Sequence, residues 1–543
     1  MSERPSETDP TTPAPRVLVS DSLSPAALAV LERRGVQADL RPELGRDPEA
    51  LAAALPGYDA LAVRSTTRVT AELLEHAPRL KAVGRAGIGV DTIDLEECTR
   101  RGVLVMNTPY GNAVTTAEHT LAMMLAAARH IPAASASTHA GGWERSAFMG
   151  TELHGKTLGV VGAGNVGALV IERAHGLGMR VLAHDPYLTD ERADQLGVES
   201  VALEDLLERS EVITLHVPLT DATRGMLDAA ALARTRPGVI IVNCARGPLV
   251  DEQALADAVR SGHVSAAAVD VYHQEPPTDS PLLGLERVVC TPHLGASTAE
   301  AQEKVAVQLA EQLADLLLDG VVSHALNAPS VSAEEAAGLG PWVRLADDLG
   351  AFLGQATPHP VDRVTVQLGG TARELNARAV TAAALAGVLR ARSPETTLVS
   401  APVKAAEQGV EVVDASTAAS GPFQGEVSVS LSTATGEQLV RGTVFEDGRP
   451  RMVEVDGVLL DAVLAEHMLF TRHSDQPGVI GRLGTLAASA GVNIASFALG
   501  RTEPGGDAVA LLELDEPVTA DAVETLRDSG LFREVVALRL AGH

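Results

Sequence analysis

Three polar residues in the middle of the chain could together carry out acid–base chemistry on an anionic substrate. Arg246 lies in VNCARGPLVD, Glu275 in DVYHQEPP and His293 in TPHLGAST. Arg246 and His293 follow apolar, strand-like runs, and open parallel sheets bind ligands outside the carboxyl ends of their strands. An arginine can clamp a carboxylate, a histidine can exchange a proton near neutral pH, and a glutamate can stabilise the imidazolium. By spacing alone, each could equally be a solvated surface residue.

A glycine-rich segment upstream has the spacing of a dinucleotide-binding turn. The apolar run 158–161 predicts a buried strand, and Gly162, Gly164 and Gly167 follow it as G-x-G-x-x-G before an apolar helical pattern. A second short strand pattern ends at Asp185, 23 residues after the first glycine. Strand, glycines, helix, strand and acid occur in the order that a dinucleotide site requires, which favours such a site over an ordinary glycine turn.

The residue types in this segment predict NAD as the cofactor. The first glycine permits a tight strand-to-helix turn, the second lets backbone N–H groups approach a pyrophosphate, and the third permits close helix–strand packing. Asp185 can accept hydrogen bonds from both ribose hydroxyls and would repel a 2′-phosphate. We therefore expect NAD rather than NADP.

The composition argues against several classes of function. A net charge of −28 disfavours nucleic acid and anionic membranes as partners. Cys98, Cys244 and Cys290 have neither metal-type spacing nor an even disulfide set, so we expect no metal and a cytoplasmic location. No stretch has the length of a membrane span or the pattern of a signal peptide. Residues 1–15, rich in Pro, Ser and Thr, predict a disordered tail.

Alternating strand and helix patterns predict two α/β units in the first 325 residues. Residues 110–296 contain the glycine motif and predict a Rossmann-type domain. Residues 16–109 predict a flavodoxin-like substrate domain. A helix from a capping box at Ser297 and Glu300 to Gly320 would return the chain to this domain, which is then discontinuous (16–109 and 297–325) and separated from its neighbour by a cleft.

The remaining chain predicts two α+β domains. In residues 326–466, runs of alternating apolar residues flank a helical segment near 375–389. In residues 467–543, the pattern reads βαββαβ, the order of a ferredoxin-like sandwich.

Several of these motifs resemble those of the D-isomer-specific 2-hydroxyacid dehydrogenases. They are VGRAGIGVD, VMNTPYGN, the run from Trp143, the glycine motif, VNCARGPLVDE and CTPHLGAST. Residues 326–466 and 467–543 resemble the intervening domain and the amino-acid-binding ACT domain of long-form members. The resemblance implies NAD-dependent oxidation of 3-phospho-D-glycerate to 3-phosphohydroxypyruvate, the first step of L-serine biosynthesis, by a homotetramer.

The resemblance also implies roles for individual residues. Arg246 would clamp the substrate and stabilise the transition state, His293 would be the acid and base, and Glu275 its charge partner. Residues implied to lie near the substrate or its phosphate are Arg64, Ser65, Asn112, Arg85 and Arg145, the last from a neighbouring subunit. Residues implied to contact NAD, besides the three glycines and Asp185, are Asn165, Val166, Cys244, Ala245, Arg246, Asp270, His293 and Gly295.

A regulatory site is implied in the last domain. HSDQPGVIG and GVNIASF match the ligand loop of ACT domains, and we expect His473, Asp475 and Asn493 to gather at one edge of it to bind L-serine. Asp475 could instead merely cap the following helix.

Two other functions stay open at this point. A relative acting on glycerate, lactate or another small hydroxy acid would carry the same catalytic set, although a regulatory ACT domain disfavours it. A non-enzymatic, nicotinamide-sensing scaffold of the co-repressor type keeps the same Arg, Glu and His, and the acidic chain weighs against it. Turnover of phosphoglycerate would separate the three.

Overall fold

The computed structural model describes residues 13–331, 333–418, 421–489 and 491–540. Residues 1–12 of the predicted tail lie outside the described residues.

The first sheet has five parallel strands in the order β2-β1-β3-β4-β5, which confirms the flavodoxin-like prediction. Ser24 caps the first helix by accepting a hydrogen bond from Ala26 N, and Pro25 occupies its first position. The strands are β1 Arg16–Val19, β2 Gln37–Leu40, β3 Ala60–Val63, β4 Ala82–Arg85 and β5 Leu104–Asn107. The helices are α1 Pro25–Arg33, α2 Pro48–Ala54, α3 Ala71–Glu75 and α4 Leu95–Arg100.

The second sheet has seven parallel strands in the order β12-β11-β10-β9-β6-β7-β8, the doubly wound arrangement predicted from the glycine motif. Its helices are α5 Ala113–Ala128, α6 Ile131–His139, α7 Asn165–Gly176, α8 Asp190–Leu196, α9 Leu203–Arg209, α10 Ala229–Arg234 and α11 Glu252–Arg260. Its strands are β6 Thr157–Val161, β7 Arg180–His184, β8 Glu199–Ser200, β9 Val212–Leu215, β10 Val239–Asn243, β11 Val264–Val269 and β12 Val288–Cys290.

Helix α12, Ala299–Asp319, returns the chain to the first sheet. Val305, Leu309 and Leu313 lie in the same apolar cluster as β1 and β3. The predicted capping box at Ser297 is wrong by one residue, because the hydroxyl of Thr298 accepts the hydrogen bond from Ala301 N. Gly320 ends the helix in the left-handed conformation, as expected.

The third sheet has six mixed strands in the order β14-β13-β15-β16-β17-β18, covered by helices. A long helix that the sequence did not predict, α13, packs against α14. The helices are α13 Ala333–Ala356, α14 Ala377–Arg390 and α15 Ala401–Glu407. The strands are β13 Arg363–Gly370, β14 Glu411–Thr417, β15 Gly425–Thr433, β16 Gly436–Val444, β17 Pro450–Val455 and β18 Val458–Val463.

The last domain has the predicted βαββαβ order and an antiparallel sheet in the order β20-β21-β19-β22. One face of its sheet packs against its own helices, and the other contacts α13, where the rings of Phe352 and Phe470 lie 4.9 Å apart. The elements are β19 His467–Ser474, α16 Val479–Ser489, β20 Ile494–Arg501, β21 Asp507–Leu514, α17 Ala520–Asp528 and β22 Phe532–Arg539.

None of the helices among the described residues is long and apolar enough to cross a membrane. No group of three or more His, Cys, Asp and Glu side chains within this part of the chain is arranged to hold a metal ion.

Candidate active site

His293 and Glu275 form a hydrogen-bonded pair outside the carboxyl ends of β11 and β12. His293 Nδ1 lies 2.8 Å from Glu275 Oε2, with 49% and 40% of the two side chains exposed. Although burial opposes the effect, His293 holds the pKa of Glu275 below its ordinary value. A carboxylate can only accept at this distance, so Nδ1 carries a proton and Nε2 remains as the basic nitrogen of the neutral ring.

Arg246 follows β10 and reaches across the cleft to the first domain. Asn243 shapes this turn, since its amide donates to Arg246 O (2.9 Å) and its carbonyl accepts from Ala245 N (3.1 Å). Arg246 Nε donates to Asp91 Oδ2 at 2.8 Å, and Nη1 donates to Ala245 O at 2.7 Å. Two of the three guanidinium nitrogens are therefore anchored, and Nη2 lies over the backbone of Gly89.

Two further guanidinium groups come from the first sheet. Arg85 Nε donates to Arg64 O at 3.1 Å, while Arg85 Nη1 is buried with no partner among the described residues. Burial, together with the charge of Arg246, lowers the pKa of Arg85 to about 10. Arg64 is oriented by Nη1 donating to Ser22 O at 3.0 Å. A buried cation with a free donor is a group that an anionic ligand would satisfy.

The other residues predicted to bind substrate differ in position. Asn112 is 8% exposed and its Oδ1 has no partner among the described residues, whereas Ser65 is exposed. Arg145 lies on the segment after α6, where its guanidinium stacks 5.4 Å from the ring centre of Trp143. Within the described part of one chain, Arg145 makes no hydrogen bond to the cleft, so the structure does not bring it to Arg85.

The glycine turn has the geometry that a dinucleotide requires. Gly162 has φ +95°, and a Cβ there would lie 2.6 Å from His216 O. A Cβ on Gly167 would lie 2.0 Å from Gly162 O, so this glycine permits the close approach of α7. A Cβ on Gly164, at the N-terminus of α7, would meet nothing within 4 Å. No protein atom therefore excludes a side chain at this position. The open space beside Gly164 is where a bound pyrophosphate would lie, and a side chain there would obstruct it.

Asp185 follows β7 and stands beside this turn. Its Oδ2 accepts a hydrogen bond from Ala163 N and its Oδ1 from Tyr187 N, both at 2.9 Å. Each oxygen keeps lone-pair capacity for a ribose hydroxyl. Asn165 begins α7 with an exposed side chain, and Val166 is half-buried next to it. These residues therefore fit NAD.

The remaining predicted cofactor contacts line the ends of β10 and β11. Burial, reinforced by Asp270, raises the pKa of Cys244 to about 12, so this side chain is a neutral thiol. Ala245 is half-buried beside it. The carboxylate of Asp270 is fully buried, and its oxygens accept hydrogen bonds from Leu294 N (2.7 Å) and Gly295 N (2.8 Å).

The predicted gathering of the regulatory residues at one edge is wrong for a single chain. Asp475 follows β19 at the start of β21, where it accepts hydrogen bonds from Arg501 (2.7 Å) and Gly505 N (3.1 Å). Asn493 lies at the other end of β21 and donates to Asp515 at 2.8 Å. The eight residues of β21 separate the two by roughly 25 Å. Asp475 directly follows β19, and Asn493 directly precedes β20. Because these two strands run parallel to each other, the two residues lie at opposite ends of the sheet.

His473 differs from the prediction in another way. Its side chain is 2% exposed and lies edge-on to Phe532, with ring centres 5.8 Å apart. Burial lowers the pKa of His473. The imidazole therefore packs inside the domain rather than facing the loop.

Three residues of the site were missed by sequence reasoning. Asp91 orients Arg246, Asp21 accepts the hydrogen bond of Arg64 N at 2.6 Å, and His119 contacts Asp270 at 3.2 Å. Asp21 follows a strand, and Asp91 follows a glycine loop. Because ligands bind at such positions in open sheets, this placement could have identified both residues from the sequence. His119 lies within a helix, and no local signal distinguishes it.

Family models match three segments of the chain. Residues 121–295 match the D-isomer specific 2-hydroxyacid dehydrogenase, NAD binding domain. Residues 338–456 match the D-3-phosphoglycerate dehydrogenase intervening domain, and residues 467–530 match the ACT domain. These three segments correspond, in order, to the second, third and fourth sheets of the structure.

Curated relatives extend this similarity to nearly the whole chain. D-3-phosphoglycerate dehydrogenase of Mycobacterium bovis is 44% identical over 93% of this chain and 96% of its own. The Synechocystis enzyme of the same name is 39% identical over 97% and 95%. Among solved structures, D-lactate dehydrogenase from Aquifex aeolicus complexed with NAD and lactic acid is 26% identical, with a TM-score of 0.52, over 58% of this chain and all of that one. The chain therefore belongs to the D-3-phosphoglycerate dehydrogenase family, a branch of the NAD-dependent D-isomer-specific 2-hydroxyacid dehydrogenases.

Proposed function

We propose that this chain oxidises 3-phospho-D-glycerate to 3-phosphohydroxypyruvate with NAD. One observation supports the assignment of the substrate. The Nη1 atom of Arg85, beside Arg64 and Arg246, is buried and has no hydrogen-bond partner among the described residues. One guanidinium suffices for the carboxylate of a simple hydroxy acid. A second, buried one supports a substrate with a further anionic group, such as a phosphate.

The acid–base step follows from the His293–Glu275 pair. Glu275 holds the proton on Nδ1, so Nε2 can accept the proton of the substrate hydroxyl, and the imidazolium then gains the carboxylate as a counter-charge. NAD, when bound, supplies the hydride acceptor. Arg246, held by Asp91, presents its remaining N–H donors to the substrate carboxylate and to charge that develops on the hydroxyl oxygen.

Turnover tests this proposal directly. The purified chain should reduce NAD with 3-phospho-D-glycerate at a kcat/KM well above that with D-glycerate or D-lactate. The variant His293→Ala should lose nearly all kcat, while His76→Ala, exposed after α3, serves as the control. Preference for an unphosphorylated acid would favour the alternative dehydrogenases, and no turnover of any acid would favour the scaffold.

The segment from α6 to residue 149 supports a homo-oligomer, and we propose a tetramer. Ile131, Trp143 and Met149 are 53%, 74% and 80% exposed, which is unusual for large apolar side chains. Pairing of this segment with a second copy would cover them and could carry Arg145 to a neighbouring cleft. Light scattering should give four times the 56.3 kDa of the chain, and Trp143→Glu should lower that mass. A monomeric wild type would contradict the proposal.

We also propose that L-serine inhibits the enzyme at a paired ACT site. Because Asp475 and Asn493 lie at opposite ends of β21, two antiparallel copies of this domain would bring Asp475 of one copy near Asn493 of its partner. An amide, a carboxylate and backbone groups then suit the carboxylate and ammonium of an amino acid. Inhibition is a coupling free energy, so the substrate should weaken serine binding in turn.

A complementation experiment tests the paired site. Serine should inhibit the wild type, whereas Asp475→Ala and Asn493→Ala should each be resistant. Co-expression of the two variants should restore partial inhibition, because a mixed pair contains one intact site. Resistance of the mixed protein would show that both residues act within one chain, and full inhibition of either variant would remove that residue from the site.

A further inference from the structure

Asp270 is the centre of a hydrogen-bonded cluster that joins three parts of the second domain. Its carboxylate is fully buried and accepts hydrogen bonds from Thr291 Oγ1 (2.6 Å), Leu294 N (2.7 Å) and Gly295 N (2.8 Å). His119 Nε2, on helix α5, lies 3.2 Å from Asp270 Oδ1. Although burial opposes the effect, the hydrogen bonds from His119 and Thr291 hold the pKa of Asp270 below its ordinary value. The carboxylate is therefore an anion with at least four donors.

These hydrogen bonds determine the backbone around His293. His293 N donates to Asp270 O at 2.9 Å, and the next two amides donate to the Asp270 carboxylate. Between these contacts His293 has φ +53°, a left-handed conformation that residues with a Cβ adopt only where their surroundings impose it. The direction of the imidazole toward Glu275 thus depends on where Asp270 is held.

His119 is the donor that holds Asp270 from outside the loop. Its side chain is 18% exposed, and its Nε2 also lies 3.4 Å from Thr291 Oγ1. The single hydroxyl proton of Thr291 is directed to Asp270, so the Thr291 oxygen can accept a hydrogen bond from His119. Thr291 and the two amides belong to the same loop as His293, so their hydrogen bonds do not tie that loop to another element. His119 belongs to a 16-residue helix packed in the domain core.

We infer that His119 is a positioning residue for catalysis, which acts through Asp270 to hold the loop 291–295 and thereby the His293 imidazole. This inference rests on the proposed role of His293 as the base. It assigns His119 no contact with substrate or cofactor. Because Asp270 is also a predicted NAD contact, removal of the His119 donor should lower kcat and leave the KM for phosphoglycerate nearly unchanged.

Two substitutions separate the hydrogen bond from simple packing. His119→Leu fills similar volume without a donor, whereas His119→Gln can place an amide N–H near the position of Nε2. We expect His119→Leu to lower kcat on the order of 10- to 100-fold, because small misplacements of a reacting group have effects of that size. His119→Gln should regain most of that loss, and Glu118→Gln, exposed on the same helix, should match the wild type.

Several results would overturn the inference. One is wild-type kcat in His119→Leu. Another is a loss in His119→Gln as large as that in His119→Leu, which would indicate packing alone. A rise in the KM for NAD with unchanged kcat would show that the cluster serves the cofactor instead.

A crystal structure of His119→Leu provides a measurement that does not depend on turnover. We expect the distance from His293 Nδ1 to Glu275 Oε2, 2.8 Å in the native chain, to exceed hydrogen-bond length. An unchanged distance and an unchanged φ at His293 would contradict the inference. If the wild type turns over no phosphoglycerate, the proposed function fails, and this distance still decides the role of His119.

Discussion

Replacement of Arg85 by methionine should weaken recognition of the phosphate without unfolding the protein. The fall in the pKa of Arg85 from its ordinary 12.5 to about 10 corresponds to about 3 kcal/mol by which the folded chain disfavours the cation. Because the pKa of a base is lowered, this free energy destabilises the fold at any pH below about 10. Arg85→Met removes that charge and keeps an apolar side chain of similar reach, so its Tm should equal or exceed that of the wild type.

The same change removes a donor that a phosphate would use. A hydrogen bond between charged groups contributes roughly 1.5–3 kcal/mol, so the KM for 3-phospho-D-glycerate should rise roughly 10- to 100-fold. The KM for D-glycerate, which has no phosphate, should change far less. Steady-state kinetics with both substrates measure the difference, and Arg33→Met, exposed on α1, is the matched control. Equal effects on both substrates would assign Arg85 to the carboxylate, and a Tm lowered by several degrees would refute the charge argument.

Three further predictions concern the other predicted site residues. Glu275→Gln should shift the acid limb of the kcat/KM profile for oxidation to lower pH, since a protonated His293 ring loses its half-exposed counter-charge; an unmoved profile would exclude the pairing. Arg246→Lys should lower kcat/KM severely, because an ammonium cannot bond Asp91, Ala245 O and a carboxylate in one plane; near-native kinetics would identify another clamp. Asp185→Ser should raise kcat/KM with NADP relative to NAD, and an unchanged ratio would show that Asp185 does not face the ribose.

The sequence was sufficient for the parts of the fold that local patterns encode. Apolar strand runs and helical periodicity predicted both α/β units, and the βαββαβ order of the last domain was confirmed. The glycine motif and its acid identified the dinucleotide turn, because tight turns restrict residue type at fixed spacing. The limits of the domains, drawn from these patterns, and the catalytic roles, implied by the resemblance, stay predictions.

Helix α13 shows where local reasoning failed. Its sequence contains Pro341 and several glycines, which disfavour a helix in isolation. In the fold, a Cβ on Gly350 would lie 2.0 Å from Ala384 O, and one on Gly387 would lie 2.1 Å from Asp347 O. The glycines permit the backbones of α13 and α14 to pack in direct contact, so tertiary packing outweighs the local cost.

The sequence by itself determined the types of residue in the site and the strands that carry them. Only the tertiary structure decided their partners: Asp91 is 155 positions from Arg246, and His119 comes from a helix rather than from a strand end. It also placed Asp475 and Asn493 at opposite ends of β21, which a list of loop motifs could not show. A motif constrains neighbours along the chain, whereas hydrogen bonds and burial depend on distances that arise only when the sheets and helices pack together.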